Sequence, residues 1–536
     1  MNLIKDILQV DNRTDFGRFQ TFIESEAVVP DKKEDVYEVI KTEGYIALRK
    51  QEVLDGKIIL RGSFNYNVIY LTEDKSTMSN IEGRIDINEV VEKDSIVADM
   101  DNMLFCDVEH IDCTIINERK IRVGALLNVR GSLFEKNTID IVKDVAQIDS
   151  VQKHRKEVQY EDIIGIEKSE SVIRDTININ TEDISNIVSI GPKIRLKETR
   201  VSDNKVIVGG CLELNPIAFT YEGELVELDR IGLDFTQFIE VPGVSEGMKE
   251  EALVEIVDLN YVFKKNEENN TGSLEVDCTA RAKVKVSEDV TREVLQDAYS
   301  PDRNLKFESR NIELNKVLNS GSEFFSIRET IKNANDDIQI KDVVSVDTNI
   351  FVENTFFDGN KNIVEGIVSV DILYTPVEGL RPVYRITEEI PFSHDIEVDN
   401  AKESTNAFNT LTIDRVEFDL NRDQVEVNLK VRRYCEVIDK KKDSFIVKGE
   451  DQGPIDLSTR PSITLYIARE GDKLWNIAKK YNANFFFVTD GASSYSNGNG
   501  VSNPAVKAMR NEMDEWEKKN GFNPDDDWSL DINDTS

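Results

Sequence analysis

The stretch Asp55-Gly56-Lys57-Ile58-Ile59-Leu60-Arg61-Gly62-Ser63-Phe64-Asn65-Tyr66-Asn67-Val68-Ile69-Tyr70 decides the fold of this chain. Ile58, Leu60, Gly62, Phe64, Tyr66, Val68 and Tyr70 fall on one face, with Arg61, Ser63, Asn65 and Asn67 on the other. Period-two alternation over this length marks a half-buried antiparallel strand. The Asp-Gly pair ahead of it tolerates positive φ, as a hairpin turn into the strand requires.

The stretch comes back twice. Asp203-Asn204-Lys205-Val206-Ile207-Val208-Gly209-Gly210 lies 148 residues further on, with Asp, Lys, Ile and Gly in register, and the same offset carries Thr72 onto Thr220 and Glu92 onto Glu240. A third copy begins at Asp358, one residue longer in the turn, with Val364, Gly366, Val368, Val370, Ile372 and Tyr374 on one face. Phe235 to Val241 matches Phe392 to Val398, so Glu92, Glu240 and Glu397 share a position; recurrence in a repeat argues for fold before chemistry. Alternating runs at Lys120 to Arg130, Leu274 to Val286 and Gln424 to Arg433 close the copies.

The fold class that follows is mainly β: three tandem antiparallel β-rich domains, sandwich- or barrel-like, at 1–150, 160–300 and 310–452. Short helices are expected over Met248 to Val257 and over Arg292 to Tyr299, where Val294, Leu295 and Ala298 share a helical face.

The whole chain has 536 residues, 39% hydrophobic and 31% charged, which suits several folded domains. Lys and Arg total 66 against 102 Asp and Glu, a net charge of -36 that repels nucleic-acid phosphates and anionic lipid, so no nucleic-acid partner is expected. The amino terminus carries no signal-peptide pattern and no run is long enough to span a bilayer. Five scattered cysteines suit a reducing cytosol.

Few residues suggest catalysis. Gly243-Val244-Ser245-Glu246-Gly247 fits the G-x-S-x-G nucleophile elbow, but the one downstream histidine, His394, superposes on Gln237 and Glu89 in the other copies. A polar surface position explains His394 better. Cys106, His110 and Cys113 lack zinc-knuckle spacing, and the two cysteines read as a buried strand pair. Asp525 to Asp527 lack the Gly and Glu of a calcium loop. No phosphate loop or dinucleotide fingerprint occurs, so no cofactor, no metal and no enzyme activity are expected.

The carboxy-terminal end changes character: Trp475, Trp516 and Trp528 all lie there. Tyr466 to Tyr481 resembles the first half of a LysM domain. Ile463, Leu465 and Ile467 alternate as a strand, Gly471 permits a turn and Asp472 is placed to cap a helix. Leu474, Ile477, Ala478 and Tyr481 share one face of that helix, leaving Trp475 elsewhere as a candidate interface anchor. The partial module spans 460–482. A linker and helical acidic tail occupy 483–536, with a helix opening at Pro504 whose apolar stripe is Val506, Met509, Met513 and Trp516.

Three β-rich copies followed by a LysM-like segment resemble the family of clostridial spore-coat morphogenetic proteins with tandem SPOCS-like repeats. The resemblance implies a non-catalytic scaffold in the mother-cell cytoplasm, recruited to the forespore surface, whose LysM segment contacts the coat ATPase, stage IV sporulation protein A. On that reading Ile463, Leu474 and Trp475 form the partner surface, shaped by Gly471 and Asp472. The alternative is a wall protein that binds peptidoglycan or N-acetylglucosamine polymers through the LysM segment.

Overall fold

The computed structural model describes residues 1–483 apart from 181–182, 267–270, 334–337, 380, 403–404, 423, 457, 459–465 and 468–471. The first copy runs β1 (Asn2–Asp15), β2 (Phe19–Val28), β3 (Val36–Leu54), β4 (Lys57–Thr72), β5 (Met78–Glu92), β6 (Asp101–Asn117) and β7 (Lys120–Ala146). One antiparallel sheet has the order β3-β4-β5; in the other, β7 pairs with β6 along one edge and with β2 and β1 in succession along the other.

The second copy runs β8 (Gln152–Asn180), β9 (Ile184–Ser189), β10 (Lys193–Ser202), β11 (Lys205–Leu214), β12 (Ile217–Thr220), β13 (Leu225–Glu227), β14 (Ile231–Glu240), β15 (Lys249–Asn266) and β16 (Thr271–Tyr299). Here the strands equivalent to β3 and β4 are each cut in two, at Pro192 and Pro216, because proline supplies no N–H to the ladder. The third copy runs β17 (Arg303–Lys332), β18 (Ile340–Asp358), β19 (Lys361–Pro376), β20 (Tyr384–Glu397), β21 (Asn406–Asn421) and β22 (Gln424–Pro454), and α1 (Leu474–Tyr481) follows. The mainly-β expectation holds.

Each copy is a sandwich whose inner faces are the alternating positions of the sequence. In the first, Phe64, Tyr66, Val68 and Tyr70 pack on Val123, Ala125 and Leu127; in the third, Val364, Val368, Val370 and Ile372 pack on Val425, Val427, Leu429 and Val431. Each such side chain contributes about 1.5–3 kcal/mol by leaving water. The recurring glycine of the long strand has a steric cause. It faces a β-bulge in the neighbouring strand, and a Cβ on Gly62 or Gly366 would fall 2.3 Å or 1.9 Å from the Ala47 or Phe351 carbonyl oxygen. Glu92, Glu240 and Glu397 are exposed and sit directly across the ladder from Lys57, Lys205 and Lys361, a cross-strand charge pairing that explains their recurrence.

The copies join around a common axis, because equivalent residues from all three meet in single cores. A bulge at the same point of each first sheet turns Ile40, Val188 and Val344 inward. They pack together with Ile69, Ile217 and Leu373. A second shared core lies further along. The long strands β7, β16 and β22 outrun their sandwiches as two-stranded ribbons with β1, the start of β8 and the start of β17. Ile141, Val294 and Phe445 meet there with Leu8, Val158 and Ile312. The three copies form a pseudo-trimer within one chain.

Both expected helices are strands. Arg292 to Tyr299 is the end of β16 and Met248 to Val257 leads into β15. Bulges beside Leu295 and Ile256 let neighbouring residues Val294 and Leu295, or Ile256 and Val257, turn inward together, which imitates helical spacing. The helix expected from Pro504 and its stripe of Val506, Met509, Met513 and Trp516 lie outside the described residues, as do Asp525 to Asp527. No helix among the described residues is long and apolar enough to cross a membrane.

Candidate docking site at the ribbon end and the axial polar layer

Helix α1 docks on the end of the second copy's ribbon. Leu474, Trp475 and Ala478 are buried there against Tyr299, the last residue of β16. The Trp475 and Tyr299 rings meet edge to face at 5.0 Å, and His154 of β8 lies 5.1 Å from the indole. Asp297 accepts from Trp475 Nε1 at 2.8 Å and from Lys479 Nζ at 2.5 Å, one helical turn apart. Tyr299 Oη donates to the Ala483 carbonyl at 2.9 Å, and burial, with Asp297 nearby, pushes its phenol up to about 12.

Of the residues read as a partner surface, Leu474 and Trp475 are thus brought together, but against their own chain. Ile463 and Gly471 lie outside the described residues. Asp472 does not cap the helix: Lys473 holds the N-cap position, and Asp472 accepts from Tyr466 Oη at 2.8 Å. Trp475 is 9% exposed because the face that meets the ribbon is the one carrying Leu474, Trp475 and Ala478, at i, i+1 and i+4, while Ile477 and Tyr481 are only half-buried. Asp297, Tyr299 and His154 escaped sequence reading, since the first two lie roughly 180 residues and His154 roughly 320 residues upstream of the helix.

On the axis lies a second unusual arrangement. In each copy the bulge of the second sheet falls opposite one residue of the long strand: Leu127, Ala280 and Val431. Five residues beyond come Ser132, Lys285 and Glu436, each 2% exposed. Lys285 Nζ lies 2.9 Å from Glu436 Oε1 and 3.3 Å from Glu251. Arg13 pairs with Glu436 and donates to Ser132 Oγ at 2.9 Å. Burial lowers the Arg13 guanidinium from its ordinary value, and its plane rests 3.5 Å from the Phe408 ring centre. A neighbouring layer holds Asp11, Glu161 and Asn315, again equivalent in register. Burial pushes the Asp11 carboxyl up to about 6, although it accepts the Ile163 N–H at 2.8 Å.

A cavity of about 1300 Å³ extends from the shared apolar core at Ile217 and Leu373 to Glu251 beside this layer, lined from all three copies. Strands β3, β10 and β18 are the sheet edges that line it, and the first two are capped across the copies by arginine side chains. Arg281 donates to the Leu48 carbonyl at 3.0 Å and Arg432 to the Leu196 carbonyl at 2.7 Å.

The remaining candidates resolve into structure. Ser245 sits in the turn between β14 and β15 on the second copy. His394 belongs to the third copy, stacks on Phe325 at 4.0 Å and receives Arg433 on its ring and its carbonyl. It is half-buried, which corrects a surface reading. Cys106 and Cys113 lie along β6, their thiols pushed up by burial, Cys113 to about 11, while His110 is exposed on the same strand. Among the described residues no His, Cys, Asp and Glu group is placed to hold a metal ion.

The family model SipL, SPOCS domain matches three times, at 35–116, 183–264 and 339–421. Each match covers a copy from the strand leading into the long hairpin to the edge strand of the second sheet, β3–β6, β9–β15 and β18–β21, and stops short of the ribbons. No curated protein and no solved structure matches. Three separate matches, one on each sandwich, show that the chain carries three tandem SPOCS domains, as in a SipL-like protein.

Proposed function

We propose that this chain is a non-catalytic scaffold of spore-coat morphogenesis. It acts in the mother cell at the forespore surface, docking on the coat ATPase, stage IV sporulation protein A, through the LysM-like segment. The SPOCS matches support the sporulation role. The observation that carries the scaffold reading is the shared axial packing: Ile40, Val188 and Val344, with Ile69, Ile217 and Leu373, fasten three sandwiches into one body that holds α1 at a ribbon end. Such a body is a rigid platform for a docking element.

The test is capture of the purified coat ATPase by the full chain and by a chain ending at residue 454. Loss of capture on truncation is expected, and undiminished capture overturns the assignment to the carboxy-terminal segment. Retention of the full chain on purified peptidoglycan, abolished by Trp475→Ala, would favour the glycan-binding alternative instead.

A further inference from the structure

The proposed partner surface and the surface that holds α1 are the same. We infer that the ribbon end formed by Asp297, Tyr299 and His154 is a docking surface for a helix bearing an aromatic residue and a lysine one turn apart. Its occupant in the free protein is the chain's own α1, and a partner reaches Leu474 and Trp475 only after that contact is released. This rests on the reading that the LysM-like segment binds the coat ATPase.

The contact has the features of a built receptor. Both oxygens of Asp297 are used, one for the indole N–H and the other for the Lys479 ammonium. Tyr299, 4% exposed, supplies an aromatic wall to Trp475 and a donor to the chain beyond the helix at Ala483. Leu474 and Ala478 fill the remaining apolar side. A helix of eight residues does not persist alone in water, so the surface that buries it also orders it. Leu474 and Trp475 cannot face Tyr299 and a partner at once. Partner affinity is therefore reduced by the fraction of molecules in which α1 is released.

The receptor side lies outside the LysM-like segment, which makes the inference separable from the reading beneath it. In the full chain, Asp297→Asn and Tyr299→Phe each remove hydrogen bonds from the dock and preserve side-chain size. Both are expected to speed amide exchange across residues 474–481 and to tighten capture of the coat ATPase, by about tenfold for Asp297→Asn. Trp475→Glu should release the helix and lose capture together. Unchanged exchange in both receptor variants overturns the dock. Faster exchange with unchanged or weaker capture overturns competition, and shows that helix and ribbon act as one composite surface. Absence of capture by wild type and every variant overturns the docking reading itself, and the inference with it.

Discussion

Two layers on the pseudo-threefold axis were built by the same repeat and ended differently. In the apolar layer the three copies present interchangeable residues, Ile40 with Val188 and Val344, Ile69 with Ile217 and Leu373. In the polar layer equivalent positions present a hydroxyl, a cation and an anion: Ser132, Lys285 and Glu436. Apolar contact is non-directional and would bind the copies in any arrangement. A hydroxyl, an ammonium and a carboxylate satisfy one another in only one. Three second copies would gather three lysines at the axis, and three third copies three glutamates. The polar layer therefore specifies the order in which the copies close, and the apolar layers supply most of the attraction.

Removing one member of the polar layer breaks this comparison with the largest effect. Glu436→Met strands Lys285 and Arg13 in a site with almost no water, and about 3–5 kcal/mol of stability should be lost. Lys285→Met should cost a similar amount by stranding Glu251 and Glu161 and leaving Glu436 with Arg13 alone. If the layer acts as a unit, the double variant loses less than the two singles together, by at least about 1.5 kcal/mol in chemical denaturation. Strict additivity would mean that the pair is not coupled and that order is set elsewhere.

The neighbouring layer sharpens the comparison through pH. Asp11 has a folded pKa of about 6, above an unfolded value near 3.8, so the folded state holds the proton more tightly. Between those values the native chain binds more protons than the unfolded one, and stability falls as pH rises from about 4 to 6. The carboxylate form remains a cost at neutral pH. Asp11→Asn, which keeps an acceptor for the Ile163 N–H, should raise stability at pH 7 by about 1–3 kcal/mol. The advantage should shrink towards pH 4. Equal gains at both pH values would place the effect in packing.

Sequence alternation was enough to find the long strands, the hairpins and the threefold recurrence. It failed where the copies touch. Ser63 and Asn67 alternate as a solvent face should, yet they are 1% and 7% exposed. The neighbouring copy covers this side: Asn80 donates to Asn67 Oδ1 and to the Val188 carbonyl. A polar face satisfied across an interface has the same pattern as one satisfied by water. The false helices at Val294 and Ile256 share one cause, a bulge that adds a residue to the period. At the docking site, Leu474 and Trp475 could be singled out by type and spacing, but the Asp297 and Tyr299 that hold them could not. That pairing exists only once the ribbon has formed.

The smallest expected effect concerns the seam that closes the ring. The residue after the bulge partner is Arg281 in the second copy and Arg432 in the third, and each donates to an edge carbonyl of the copy before it, at Leu48 and Leu196. Both acceptors lie across the ladder from the recurring glycine, at Gly62 and Gly210; the third such position is Val352, opposite Gly366. The first copy should grip it, but its residue is Asn128, buried and with Oδ1 unpaired. The seam is held instead by other contacts, Lys41 to Asp347 at 2.7 Å and Asn349 to the Val108 carbonyl at 2.9 Å. Asn128→Arg supplies the missing length and charge, and a hydrogen bond to Val352 would add roughly 0.5–1.5 kcal/mol. Arg432→Asn makes the opposite change and should cost about 1–3 kcal/mol by leaving the Leu196 carbonyl unpaired. Opposite signs in the two variants would establish that the seams are variations on one geometry. Destabilisation by both would mean that the first and third copies meet at a spacing the arginine cannot fit, and the pseudo-threefold relation would stop at the cores.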